Sequence, residues 1–145
     1  MDRRRFMDLA EDIIQEWRDI LYLDPIWRIY IETFENEELA FGRLDTSGAA
    51  YFMATIEIAE SAFGLSEEKF VKNMNNMISH ELVHLAAIDF YRTALLSVGD
   101  DEKLKNELIY RYEQFTTRLQ RAFIDLKEEC NVSEESSERG LCPSS

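Results

Sequence analysis

The chain has 145 residues, of which 46% are hydrophobic and 31% charged, a composition typical of one globular domain that buries a core without disulfides. It carries 29 acidic and 16 basic residues, a net charge of -13, which argues against nucleic-acid or anionic-membrane binding driven by overall charge. The sequence contains no apolar run long enough to span a bilayer, and we expect no signal peptide, because no apolar segment follows the basic residues near the N-terminus. We therefore expect a cytoplasmic protein.

Three helices are predicted from apolar residues that recur every three or four positions. The first covers 3–23 and ends where Pro25 prevents it from continuing. The second covers 66–97, and the third begins at the turn around Gly99 and runs to Glu129. The third helix has an apolar stripe that we expect to be buried. The stripe consists of Leu104, Leu108, Tyr112, Phe115, Leu119, Ala122 and Leu126.

Three strands are predicted between the first two helices, over 27–32, 39–44 and 51–58, because apolar and polar residues alternate there. A turn at residues 45–48 joins the last two strands. Consecutive strands with short connections predict an antiparallel meander. The predicted fold class is therefore α+β, with an N-terminal helix, a three-stranded antiparallel sheet and two further antiparallel helices.

The composition changes after Glu129, where serine and glutamate replace large apolar residues. We expect residues 1–129 to form a single domain and residues 130–145 to be an acidic, disordered tail. The two cysteines, Cys130 and Cys142, lie in this tail. A reduced pair is expected, and a small disulfide is the alternative.

The chain has two histidines, and both lie in the sequence His80-Glu81-Leu82-Val83-His84, an HExxH pattern within the second predicted helix. Residues four apart lie on one helix face, so both imidazoles can bind one metal ion, and neutral imidazole suits zinc. Glu81 is expected to be the general base that takes a proton from a zinc-bound water. The alternative is a chance match on an ordinary helix. The apolar neighbours favour the ligand role, because an unpaired buried imidazole is costly.

A catalytic zinc site needs a third protein ligand, and a carboxylate is expected because both histidines are used and both cysteines lie in the tail. If the second and third helices pack antiparallel about a turn at residues 98–99, the residue level with His84 is Glu113. Glu107 is the alternative, because predicted helix boundaries can shift by a few residues. Thr117, one turn after Glu113, is a candidate for a hydrogen bond that orients a ligand.

With these residues, the chain resembles the gluzincin zinc metallopeptidases, and in size the minimal ones called minigluzincins. It is also similar to small HExxH metallopeptidase-like proteins encoded by phages and prophages. The resemblance covers residues 27–123 in element order. It implies a zincin-like fold, Zn2+ bound by His80, His84 and Glu113, Glu81 as the acid/base residue, and hydrolysis of peptide bonds in a peptide or protein substrate.

The sequence departs from the larger gluzincins at two points. They have an aspartate where this chain has Thr117, and a C-terminal subdomain supplies a tyrosine or histidine that stabilises the oxyanion. Here Tyr91, Tyr110 or Tyr112 could take that role. The resemblance also implies that an extended substrate pairs with an exposed edge strand, which we expect within 51–58.

Two other functions remain open at the level of sequence. The chain could be a non-catalytic zinc-binding interaction or regulatory module on a zincin scaffold, with an acidic surface that meets a basic partner. It could also be an α+β interaction protein in which the HExxH pattern is accidental. The sequence does not indicate the oligomeric state or the physiological substrate.

Overall fold

The structure is a computed structural model of the chain, and it describes residues 2–23, 25–35 and 41–136. The contacts divide the chain into two compact units, residues up to Leu82 and residues from Val83 onward, with the boundary inside one continuous helix. The single domain over 1–129 stays a prediction. The described elements, in chain order, are α1 (Arg3–Ile20), β1 (Arg28–Phe34), β2 (Gly42–Asp45), β3 (Met53–Ala59), α2 (Glu67–Ala86), α3 (Ile88–Ser97) and α4 (Glu102–Ser136), with short 3-10 helices at Ala49–Tyr51 and Glu60–Gly64.

Helix α1 forms much as its periodicity predicts. The Asp2 side chain accepts a hydrogen bond from the backbone N–H of Arg4 and caps the first turn. The apolar face of α1 packs against α2: the rings of Phe6 and Phe70 lie 4.3 Å apart, and Trp17 Nε1 donates to Asn75 Oδ1 at 2.8 Å. These contacts lie in the core of the first unit, and they hold one side of α2 against α1.

The sheet of the first unit is mixed, so the predicted antiparallel meander is wrong. The strand order is β1-β3-β2, with β1 parallel and β2 antiparallel to β3. β3 takes the centre because it is the most buried strand, with Ala54, Ile56 and Ile58 at most 3% exposed. Since β3 is paired on both sides, the expected substrate edge within 51–58 is also wrong; β1 and β2 are the outer strands of the described sheet.

Gly42 brings β2 close to α2. A Cβ at this position would lie 2.6 Å from Met77 Cε and 2.8 Å from the carbonyl oxygen of Glu57. The end of the Met77 side chain can move aside but the Glu57 carbonyl cannot, so a residue without a side chain is required where β2 lies against β3 and packs on the helix. Within the first unit, α2 is therefore held between α1 and the sheet.

The second predicted helix is divided into α2 and α3 at Ala87, whose N–H lies 3.3 Å from the carbonyl oxygen of Val83 and 3.2 Å from that of His84. The hydroxyl of Tyr112 also donates to the His84 carbonyl, at 2.7 Å. A side chain that bonds to a helix carbonyl disturbs the regular ladder and produces a kink. The break therefore depends on a residue 28 positions away, which the local periodicity does not reveal.

Helix α4 differs from its prediction in length and in burial. It continues past Glu129 to Ser136, so residues 130–136 are helical, while the rest of the predicted tail lies outside the described residues. The apolar stripe predicted to be buried is largely exposed: Leu104, Phe115 and Leu126 are each about half exposed. The buried polar residues of α4 are Thr116 and Gln120.

Cys130, near the end of α4, is disulfide-bonded, so the expected reduced state is wrong for this residue; Cys142 lies outside the described residues. A persistent disulfide is typical of oxidising compartments, and the cytoplasmic location stays a prediction. Among the described helices, none combines the length and apolar character needed to cross a bilayer.

Candidate metal centre

Helix α2 carries both histidines of the chain. His80 and His84 lie one turn apart and are half-buried, while Ile78, Leu82 and Leu85 around them are at most 1% exposed. Burial of these apolar neighbours fixes the rotation of the helix about its axis. It therefore also fixes the direction in which the two imidazoles leave the helix.

Helix α4 brings Glu113 to His84. Glu113 Oε1 lies 3.3 Å from His84 Nε2, and the two side chains are 54% and 14% exposed. In a tetrahedral site with zinc–ligand bonds of about 2.1 Å, two ligand atoms are about 3.4 Å apart. The imidazole and the carboxylate thus stand at the separation at which they can bind one ion.

Thr116 favours one tautomer of His84, the one with a proton on Nδ1. Its hydroxyl donates to the carbonyl oxygen of Tyr112 at 2.9 Å, which uses its one proton. The same oxygen lies 3.2 Å from His84 Nδ1, so it accepts a hydrogen bond from Nδ1–H. In the neutral ring, Nε2 is then the unprotonated nitrogen that faces Glu113.

This tautomer leaves two acceptors, His84 Nε2 and Glu113 Oε1, facing each other. Two acceptors at this distance repel unless a cation lies between them, either a proton on the imidazole or a metal ion. Thr116 is fully buried, so water does not compete for its hydroxyl. The arrangement favours a cation at Nε2, the position from which the ring can bind a metal.

His80, His84 and Glu113 form a group that could hold a metal ion, with one ligand atom from each within 4.8 Å of the others. Glu81 follows His80 on α2 and is half-buried, but it is not a member of this group. Glu107, the alternative ligand, is exposed and accepts a hydrogen bond from Arg111 at 2.8 Å. Sequence reasoning placed Glu113 level with His84, and the two side chains do lie together even though the helix before the turn is broken.

The hydrogen bond to the His84 ring comes from Thr116, one residue before the predicted Thr117. Thr117 is exposed and lines a surface hollow together with Glu113. A usable signal was present in the sequence: Thr116 follows Tyr112 by four positions and so shares the helix face of a residue expected to be buried. The choice of Thr117 came from its position one turn after Glu113.

The three tyrosines considered for the oxyanion have different surroundings. Tyr112 donates its hydroxyl to the carbonyl of His84, and Tyr91 stacks on Tyr112 with ring centroids 4.0 Å apart. Tyr110 accepts a hydrogen bond from Gln114 at 2.8 Å and lines the same surface hollow as Glu113. Of the three, Tyr110 therefore shares a solvent-accessible space with a member of the group.

Comparison with protein-family models, with curated proteins and with solved structures finds no match to this chain. The resemblance to gluzincins therefore stays a prediction. The side chains of the metal centre carry the functional proposal.

Proposed function

We propose that the protein is a zinc-dependent metallopeptidase in which His80, His84 and Glu113 bind Zn2+. The observation that carries the proposal is the 3.3 Å separation of His84 Nε2 and Glu113 Oε1, with Nδ1 of the same ring bonded to a buried hydroxyl. Two imidazoles and one carboxylate are a typical catalytic zinc set, with a fourth position open for water. Magnesium and calcium prefer sets made of oxygen ligands, which favours zinc here.

The proposed chemistry assigns one role to each residue. Zinc held by these residues would supply a water whose pKa is about 7 and a Lewis acid for the substrate carbonyl. Glu81 would act as the general base and return the proton to the leaving amine. Tyr110 is the proposed donor to the developing oxyanion, because it lines the same hollow as Glu113.

A second candidate is a non-catalytic metal-binding module. The observation that favours it is the hydrogen bond from Tyr112 to the His84 carbonyl, which occupies one of the three hydroxyls considered for catalysis. Metal would then stabilise the fold, and the acidic chain would meet a basic partner. Metal content alone does not separate this candidate from the peptidase, whereas hydrolysis does.

The test is zinc content and peptide hydrolysis measured on the same preparations, purified without chelators. We expect about one zinc per chain and chelator-sensitive hydrolysis of an unstructured peptide library. Glu81→Gln should keep the zinc and lower the rate by a factor of about 100 to 10,000, because it removes a general base. Glu68→Gln, the same change at an exposed residue in the first turn of α2, is the matched control and should keep full activity.

Each other outcome has a definite meaning. Bound zinc without hydrolysis supports the non-catalytic module. Hydrolysis unchanged by Glu81→Gln contradicts the assigned role of Glu81. Absence of zinc and of zinc binding contradicts both candidates and favours a protein in which the HExxH pattern is accidental.

A further inference from the structure

The exposed stripe of α4 has a hollow beside it, in the second unit between α3 and α4. The hollow has a volume of about 220 Å³ and an almost wholly apolar lining. A cavity of about 150 Å³ already holds a benzene-sized group, so this one has room for a leucine or phenylalanine side chain. It is too small for a typical small-molecule ligand, whose sites start at about 300 Å³.

Both walls of the hollow have the geometry of a helix groove. Helix α4 contributes four residues at spacings of three, four and seven, Leu108, Arg111, Tyr112 and Phe115. In helix packing, a side chain from a facing helix inserts among four residues at this spacing. The hollow is thus shaped for an apolar side chain presented by another helix.

Helix α3 and the residue before it form the opposite wall with the same spacing, through Ala87, Phe90, Tyr91 and Ala94. The two alanines leave the space, and Phe90 is 82% exposed at the wall. An aromatic side chain this exposed next to an apolar hollow marks an interaction surface. The mode of binding it fits is a helix in a groove.

We propose that this hollow binds Leu126 of a second copy of the chain, so that two α4 helices pack antiparallel in a symmetric dimer. Leu126 is 49% exposed and lies on the same stripe of α4 as the hollow, in line with Phe115 and Ala122. A symmetric contact must be self-complementary, because each copy offers the same patch. The stripe meets this condition, since it carries both the hollow and the side chain that fits it.

The insertion of Leu126 into the hollow fixes which residues of the two α4 helices face each other, and the other facing residues also fit. When Leu126 enters the hollow centred between Leu108 and Phe115, the two-fold axis crosses α4 near Leu119. Phe115 of one copy then lies opposite Ala122 of the other. A large side chain meets a small one, which is the arrangement that packs two helices closely.

Charges beside the stripe are complementary in the same register. Arg111 lies at the hollow, and Asp125 and Glu129 flank Leu126 one residue before it and three after it. In the antiparallel pair, both carboxylates come close to Arg111 of the other copy. Each Arg111 also keeps its salt bridge to Glu107 of the same chain. Each such contact occurs twice in the dimer.

The acidity of the whole chain does not oppose this contact. Between Glu102 and Glu129, α4 contains six basic and six acidic residues, although the net charge of the chain is -13. Surface charges separated by more than about 8 Å are largely screened at physiological salt. The balance along α4 therefore decides the electrostatics of the interface.

The test is the concentration dependence of molar mass of the full chain, measured by sedimentation equilibrium. The expected result is a reversible dimer. Leu126→Asp should weaken it by about 100-fold or more, because burying a leucine is worth at least about tenfold and the dimer buries two. Asn106→Asp, which adds one negative charge at an exposed residue about 200° around α4 from Leu126, should leave the dimer intact.

A charge exchange tests the partner and the register together. Asp125→Lys with Glu129→Lys should weaken the dimer, and adding Arg111→Glu should restore it. A chain that stays monomeric at high concentration overturns the proposal, as does a dimer that Leu126→Asp leaves unchanged. Failure of the charge exchange to restore the dimer overturns the antiparallel register. None of these residues belongs to the metal centre, so hydrolysis and zinc content report separately on the proposed function.

Discussion

Thr116 is a residue whose single hydroxyl serves two partners, the carbonyl of Tyr112 and the ring of His84. We predict that Thr116→Val, which keeps the shape of the side chain, lowers zinc affinity about 10- to 100-fold. The variant loses the acceptor for Nδ1–H, so the ring no longer has a fixed tautomer and orientation. The measurement is competitive zinc titration against a chelator of known affinity.

Two neighbouring variants make this prediction specific. Thr116→Ser keeps the hydroxyl and should retain most of the affinity. Thr117→Val changes an exposed residue on the same turn and should have no effect. Equal losses in the Thr116 and Thr117 valine variants would contradict a role for the hydrogen bond to His84.

Within the candidate metal-binding group, the sequence could place together the residues whose positions depend on local spacing. His80 and His84 are four apart on a helix, and Glu113 follows from helix length alone. The sequence puts Thr116 on the helix face of Tyr112 but does not decide between it and Thr117, because that choice depends on the rotation of α4. That rotation is set by the side of α4 that is buried, and the sequence-based assignment of that side was wrong.

At the scale of elements, the turn between β2 and β3 contains a contact whose contribution to stability depends on pH. The backbone N–H of Ser47 donates to Asp45 Oδ1 at 2.8 Å, and the backbone and side chain of Ser47 hold the pKa of Asp45 below its usual value. A lowered pKa means that the ionised carboxylate stabilises the fold above the pKa of the unfolded chain. That stabilisation is lost as the pH falls through the lower pKa of the folded state.

We therefore predict that Asp45→Ala is less stable than the native chain at neutral pH, and that the difference disappears in strong acid. The effect is small, because the residue is exposed. The measurement is urea unfolding at several pH values. Asp100→Ala, an exposed residue of the turn before α4, controls for the loss of one charge; an identical pH dependence in both variants would contradict the role of the Ser47 contact.

The elements also show why the sheet order was not predictable from alternation. Strand patterns locate β1, β2 and β3, but all three are short and alternate in the same way. The central position of β3 follows from its greater burial, with Ile56 and Ile58 fully buried, and burial depends on the packing of α2 against the sheet. The kink at Ala87 is non-local for the same reason, since it depends on Tyr112.

For the molecule as a whole, metal binding should be a source of stability. The proposed ligands come from α2 and α4, and His84 and Glu113 are 29 positions apart in the chain. An ion that binds the folded chain and not the unfolded one stabilises it by about 2.7 kcal/mol when free zinc is 100 times its dissociation constant. For a chain of this size, that corresponds to an increase in Tm of about 5 to 10 °C.

We predict that zinc raises the Tm of the native chain by this amount and that a chelator reverses the shift, as measured by calorimetry. His84→Gln and Glu113→Gln should each remove most of the zinc-dependent increase, because two remaining ligands bind zinc much more weakly. Glu107→Gln should keep it, since Glu107 bonds to Arg111 on the exposed side of α4. A zinc effect that survives Glu113→Gln and is lost in Glu107→Gln would make Glu107 the third ligand. Helix α4 would then have to lie against His84 in a different register, with Glu107 in the place of Glu113.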